Sequence, residues 1–449
     1  MARILCMHTG LTGILNASLE LMSRLQALGH EVTCASPQAV GEQVKTYGFD
    51  YLQLPPVNYD LAPELPAFGG ALRKLKRLFY KFRHMKSRRA EALTNLGMDQ
   101  FLEQVKAFAP DLVVTDIELH EQIMTLVSHQ YKVLLLSQWF STWDGKGLPP
   151  IQSAAIPGQA FSGSAIGLWL SWRKVHLRRW YMFFKKKLTS GYNDRRTVLQ
   201  AYARQVGFPL SYIRKNYWPG PFSYEVLPVI SMTEEALEFP HQKREGLSYV
   251  GPMVYPERLK ADLSPDLEAV FQHKKEENKS LIYCSVSTYS VGDVAFLKKV
   301  VEAVRGEANW LLIVSLGTRI DPSAFNDLPE NAYLFDSVPQ LRVLKEADLS
   351  INHGGIHTIN ECLFCQVPML VYSGKTSDQN GCAARVHYHG LGLMADKDAD
   401  DALTIRQKII DCLKTKIQHE AFDGSRLEQQ KQVLATAIDS ALKQGNPMA

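Results

Sequence analysis

The chain has 449 residues, room for two or three domains at roughly 150 residues each, so a small module stapled by disulfides or a metal is excluded. Hydrophobic residues make up 46% and charged residues 21% of it, which is the composition of a folded chain and not of a disordered, collagen-like or coiled-coil one. The balance of 50 Lys plus Arg against 46 Asp plus Glu leaves a formal charge of +4, too mild to argue for a nucleic-acid partner.

Taken in chain order, residues 3–7 form a short apolar run and 15–28 carry apolar residues at helical spacing. After the Gly29-His30 stop, 31–35 reads as a strand, which makes a βαβ opening. Strand-like runs recur at 51–54, 112–114, 133–136 and 226–230 with helical stretches between them, the pattern of a mostly parallel sheet. Two irregular connections interrupt this half: one around Pro55, Pro56, Pro63 and Pro66, the other over 145–163. Between 231 and 279, Gly251-Pro252, Pro256 and a charged run replace the periodicity and suggest a join. A second series follows at 281–286, 310–316, 333–335, 349–351 and 369–371, and 424–443 reads as a terminal helix. The expected organisation is α/β. A first domain spans 1–235 and a second 236–423, each doubly wound, and 424–449 packs back on the first. Two such sheets imply a cleft between them.

Seven scattered cysteines, mostly within apolar runs, read as buried thiols of a cytoplasmic protein. The C-x-x-C of Cys362 and Cys365 lies in a helical pattern without a second pair, so packing explains it better than zinc. The first eight residues enter a strand directly, so no secretory signal is expected. No apolar stretch reaches the ~18 to 20 residues of a membrane span.

The most informative stretch runs from Leu349 to Leu363. An apolar strand enters a turn of His353, Gly354 and Gly355, and a helix begins at once. Unpaired amides and the positive helix end then point at whatever lies beyond the strand, which outlines a diphosphate site. His353 could donate to a phosphate oxygen, and Glu361, two turns on, could reach sugar hydroxyls. Taken alone, the same turn could be a plain strand-to-helix connection.

Upstream lies Val338-Pro339-Gln340, and downstream Val367-Pro368, Asp378-Gln379 and Ala384-Arg385. Together these resemble the nucleotide-sugar signature of the inverting UDP-glycosyltransferase superfamily (glycosyltransferase family 1), P-Q, H-G-G-x-x-T-x-x-E, V-P, D-Q, A-R. The likeness is strong over 331–395 and looser at Ser285, Thr288, Gly251-Pro252 and 28–32. It implies a GT-B fold of two Rossmann-like domains facing a cleft, with acceptor on the first and an activated sugar on the second. It further implies that Gln340 and Val338 lie by the base and that Glu361 binds ribose. His353, Gly354, Gly355 and Thr358 would hold the diphosphate, and Asp378 and Gln379 the sugar hydroxyls. Blander roles stand beside these: Thr358 bonding its own helix, Gln340 a solvated helix start, Asp378 a helix cap. Gln366 and Cys382 depart from the family pattern, where glycine and asparagine are usual.

Transfer to a hydroxyl also needs a base. The family's histidine, in a turn after the first strand, corresponds here to Ile14. Asp116, at a strand's carboxyl edge, is the candidate catalytic residue, with Glu118, His120 and His8 nearby. Alternatively it only caps the next helix, the acceptor is already acidic, or catalysis is lost. No metal or resident cofactor is required on this reading. Asp396, Asp398 and Asp400 resemble a helix start more than a cation site, and no G-x-G-x-x-G after the first strand or P-loop occurs.

Two stretches, 73–89 and 168–187, mix cationic with aromatic residues. They suit an anionic membrane surface at the inner face of the membrane, or a helix that buries its aromatics. The expectation is therefore a glycosyltransferase using a UDP- or dTDP-sugar on a lipophilic acceptor: a lipid, carotenoid, sterol-like or polyketide aglycone. Its rivals are a sugar-nucleotide epimerase or hydrolase, and a non-catalytic partner protein that keeps the fold.

Overall fold

The computed structural model describes residues 1–56, 65, 67, 69–70, 72–215, 217–285, 294–317, 320–375, 377–415, 417 and 424–443; Thr288 lies outside them. Seven strands form the first sheet, in the order Asp50–Gln53, Glu31–Ser36, Arg3–Met7, Leu112–Asp116, Val133–Ser137, Val229–Ser231, Leu247–Tyr249. All of its pairings are parallel. Its central strands are apolar on both faces because helices cover both, and Leu112–Asp116 is buried throughout. The second sheet has six parallel strands, Ala332–Phe335, Trp310–Ser315, Ser280–Ser285, Leu349–Asn352, Met369–Tyr372 and Gly392–Ala395.

In the first sheet the strand order reverses between Arg3–Met7 and Leu112–Asp116, and in the second between Ser280–Ser285 and Leu349–Asn352. Each reversal opens a crevice at the strands' carboxyl ends, where open α/β sheets bind ligands. The architecture is two doubly wound α/β units.

Three details differ from the sequence reading. The run at 226–230 becomes a strand only at Val229, since Val226 is 52% exposed in the preceding turn. The first sheet also continues past residue 235 to Leu247–Tyr249, a three-residue strand hidden in the sequence by its charged approach from His241 to Glu245. The helix Thr12–Ala27 begins three residues before the expected 15.

The terminal helix Gly424–Lys443 places Leu434 and Ile438 in one buried cluster with Ile4, Leu112, Leu134 and Ile230 of the first sheet. The cysteines are free; six are buried and Cys365 is half-buried, and burial raises the Cys362 and Cys365 thiols. Among the described residues, no helix is long and apolar enough to cross a membrane.

A buried ion pair ties the two units together. Arg385, on the helix Gln379–Tyr388, donates from Nε to Glu238 Oε1 at 2.7 Å, and its guanidinium lies 4.6 Å from the Phe140 ring and 4.5 Å from the Phe239 ring. The remaining Glu238 oxygen accepts the Ser141 amide at 2.8 Å. Nearby, Gly381 donates its amide to Ile151 O at 3.0 Å, and a Cβ at that glycine would lie 2.2 Å from the same oxygen. Only glycine allows that approach.

Candidate active site

The two crevices face each other across a cleft of about 800 Å³, within the range of small-ligand sites. Its second-sheet wall is built around the strand Leu349–Asn352. Asn352 Oδ1 accepts the Gly354 amide at 2.9 Å and Asn352 Nδ2 donates to Ser350 Oγ at 3.1 Å, which fixes the turn. Gly354 has φ +82°, and a Cβ there would stand 2.9 Å from Val371 Cγ1 and 3.0 Å from Gln379 O. Strain and space both demand glycine. The helix Ile356–Phe364 then begins at Gly355 with no side chain capping it, so its first amides and dipole are directed at the cleft. His353, Gly355 and Thr358 line the cleft beside them, whereas Gly354 shapes the turn from behind.

Gln340 opens the helix Gln340–Glu346. It donates from Nε2 to Glu361 Oε2 at 2.6 Å and accepts from the Tyr283 hydroxyl at 3.3 Å. The other Glu361 oxygen pairs with Arg258. Asp378 and Gln379 line the far end; Gln379 Oε1 accepts the Gly374 amide at 2.8 Å, and the Cys382 thiol donates to Asp378 at 3.4 Å. Burial raises the Asp378 carboxyl. The structure thus brings Gln340, His353, Gly355, Thr358, Glu361, Asp378 and Gln379 to one surface.

On the first-sheet wall, Leu11, Ile14, Tyr47, Trp139 and Trp218 make an apolar, aromatic lining, and the two Trp rings meet edge to face at 5.7 Å. Ile14, in the first turn of its helix, lines the cleft where a histidine would have reached it. Asp116 differs from its expected place: it is 1% exposed and does not line the cleft, because its Oδ1 turns back to accept the Glu118 amide at 2.9 Å. That turn carries Glu118 into the cleft instead. Burial pushes both carboxyls well above the usual carboxylate range. The Glu118 charge adds to this at Asp116; at Glu118, Arg195 opposes the rise and Asp378 adds to it.

The other nearby groups are turned away. Fully buried, His8 accepts the Gly10 amide at Nδ1 (3.0 Å) and meets Cys34 through Nε2 (3.1 Å). His120 faces the Tyr224 hydroxyl at 3.0 Å and Gly220 O at 3.3 Å. Burial lowers them to about 4 and about 3, so both are neutral imidazoles at pH 7. Two cleft residues had no assigned role in the sequence. Arg258 lies in the charged join, and only its contact with Glu361 marks it. His357, the second histidine of the signature turn, lies 3.5 Å from Gln138 across the cleft, and a Cβ on Gly13 would come within 3.1 Å of its ring. Burial and Arg258 lower it to about 4.

Asp400 accepts from the Tyr372 hydroxyl at 2.9 Å and pairs with Lys408, while Asp398 meets Lys375 at 2.7 Å. The acidic triplet is thus spent on local ion pairs.

Residues 319–437 match the family model described as the glycosyltransferase family 28 C-terminal domain. The chain is 31% identical over 165 residues to the NDP-glycosyltransferase YjiC of Bacillus licheniformis, covering 37% of this chain and 39% of that protein. The chain therefore spans about two-fifths of the length of such relatives. Against the oleandomycin glycosyltransferase of Streptomyces antibioticus it is 23% identical over 404 residues, 87% of this chain and 78% of that one. The solved structure of the kitacinnamycin glycotransferase superposes with TM-score 0.63 at 18% identity, over 98% of this chain and 97% of that one. The chain has the GT-B fold, and its residues 319–437 are similar to a glycosyltransferase C-terminal domain. The matching model is described as family 28, whereas the motif spacing resembles family 1. In this GT-B frame, the wall built around Leu349–Asn352 belongs to the matched C-terminal region and the aromatic wall to the first sheet.

Proposed function

We propose that the protein moves a sugar from a UDP- or dTDP-sugar onto a lipophilic acceptor, with inversion. The observation that carries this reading is the cleft itself. An uncapped helix start behind a His-Gly-Gly turn faces an aromatic wall that carries one half-buried carboxyl, Glu118. The relative named for oleandomycin supports a small-molecule acceptor. Buried free cysteines fit an intracellular place for the protein.

In this mechanism the acceptor oxygen attacks the anomeric carbon from the side of the first domain, and the bond to the diphosphate breaks on the opposite face. The charge developing on the diphosphate is met by the amides opening Ile356–Phe364 and by His353. Glu361 and Gln340 hold the ribose end, and Asp378 and Gln379 the sugar hydroxyls. Glu118 takes the acceptor's proton; Asp116 orders the turn that presents it. Replacing His353 by Ala should weaken UDP binding by about 1 to 3 kcal/mol, read by calorimetry, if it donates to a phosphate. Unchanged affinity would remove it from the diphosphate site.

Incubation with UDP- and dTDP-sugars and a panel of hydrophobic aglycones, followed by mass spectrometry, tests the whole. A glycosylated aglycone supports transfer; donor consumption without acceptor points to a hydrolase or epimerase. Ile14 favours one second reading, a nucleotide-binding partner protein. That reading predicts donor binding with no product from any acceptor.

A further inference from the structure

We propose that the outward faces of the helices Arg73–Arg83 and Ala165–Thr189 form a docking surface for an anionic lipid bilayer. Ser164 starts the longer helix by accepting the Gly167 amide at 3.1 Å. Its inner side is settled: Leu168 and Trp172 are buried, and the Trp172 indole donates to Leu148 O at 2.8 Å. The opposite side repeats apolar residues at helical spacing, with Ile166 65%, Trp169 55%, Leu177 67%, Trp180 55% and Phe184 47% exposed. That is a stripe about five turns long turned away from the core, apolar except at its middle, where the Arg173 guanidinium lies 5.1 Å from the Trp169 ring. Trp180 and Phe184 stack at 5.5 Å within it.

The shorter helix has no buried residue at all, and Leu75 and Phe79 are 61% and 68% exposed. The two helices meet at one corner of the first domain. There Lys81 donates from Nζ to Thr189 O at 2.7 Å, and the Phe82 ring lies 5.8 Å from Tyr192.

Charge selects the partner. The longer helix carries seven Lys or Arg, the shorter six, and neither contains an Asp or Glu. An unbroken cationic set around exposed indole and aliphatic side chains fits the headgroup boundary of an anionic membrane, where rings sit at the interface and Lys and Arg reach the phosphates. A nucleic acid would answer the charge but not the Ile and Leu of the stripe. The placement also serves the cleft: Arg179 of the same helix lies 5.6 Å over Trp218, which lines the aromatic wall. A bilayer under this helix would stand next to the acceptor half.

The test is co-sedimentation of the full chain with vesicles of phosphatidylcholine alone or mixed equally with phosphatidylglycerol, at about 50 and about 500 mM salt. Binding is expected to the anionic vesicles only, and to fall by roughly tenfold or more at the higher salt. W169A/W180A/F184A and K174E/R178E/K185E should each lower it by a similar factor while UDP binding stays unchanged. Because the readout is vesicle binding, failure of sugar transfer would leave it standing. Absence of binding at low salt, or variants that bind like the parent, would overturn the proposal. So would salt-sensitive binding of DNA by a chain that ignores vesicles. Should a variant not fold, quenching of the parent's tryptophan fluorescence by brominated acyl chains decides: none would sink the docking surface.

Discussion

Glu118→Gln is expected to lower kcat by about 100- to 10,000-fold, the contribution of a positioned general base, while UDP affinity stays within a factor of a few. The amide keeps the shape of the side chain but cannot take a proton. The sign of the pH dependence follows from the raised carboxyl. Burial favours its protonated form, so the parent should lose kcat/KM as pH falls, along a limb displaced from the usual carboxylate range toward neutrality. That limb should vanish in the variant. Asp116→Asn separates the two acids: it keeps an oxygen able to accept the Glu118 amide now bound at 2.9 Å, so it should retain much more activity than Glu118→Gln. The opposite ranking would return the proton transfer to Asp116. Steady-state rates across pH 5 to 9 with one acceptor suffice to read all three.

Arg385→Met should cost about 3 to 5 kcal/mol of stability, the penalty for leaving one member of a buried ion pair without the other. The Arg385 and Glu238 side chains are 2% and 1% exposed, so water cannot replace the lost guanidinium. Glu238 would keep only its amide donors, Ser141 at 2.8 Å and Phe239 at 3.0 Å. The double variant with Glu238→Gln should recover part of the loss, since no charge is then stranded. Denaturant midpoints of the parent, the two single variants and the double variant give the coupling directly; a double variant as unstable as the sum of the singles would mean the pair is not linked as the geometry requires.

Most of what lies close together in sequence could be read in advance. The strand, His-Gly-Gly turn and helix are contiguous, so their geometry is written into fifteen consecutive residues, and Gly354 at φ +82° has a role that only glycine fills. Long-range partnerships were not legible. Glu238 and Arg385 are separated by 147 positions, and neither has a local signal. Arg258 finds Glu361 across 103 positions. Asp116 against Glu118 turned on two residues of backbone: a strand-end position suggests a cleft-facing acid, but the side chain folds back on the chain and the next carboxylate takes its place. The strand Leu247–Tyr249 is too short, at three residues, for periodicity to register.

The pairing of Arg385 with Glu238 bears on any attempt to recombine lobes between related chains. A hybrid cut between residues 250 and 280 would take its guanidinium from one parent and its carboxylate, with the Phe140 and Phe239 faces, from the other. The two lobes could then be exchanged as modules only among parents that carry both halves of this latch, or after both halves are grafted along with the cut.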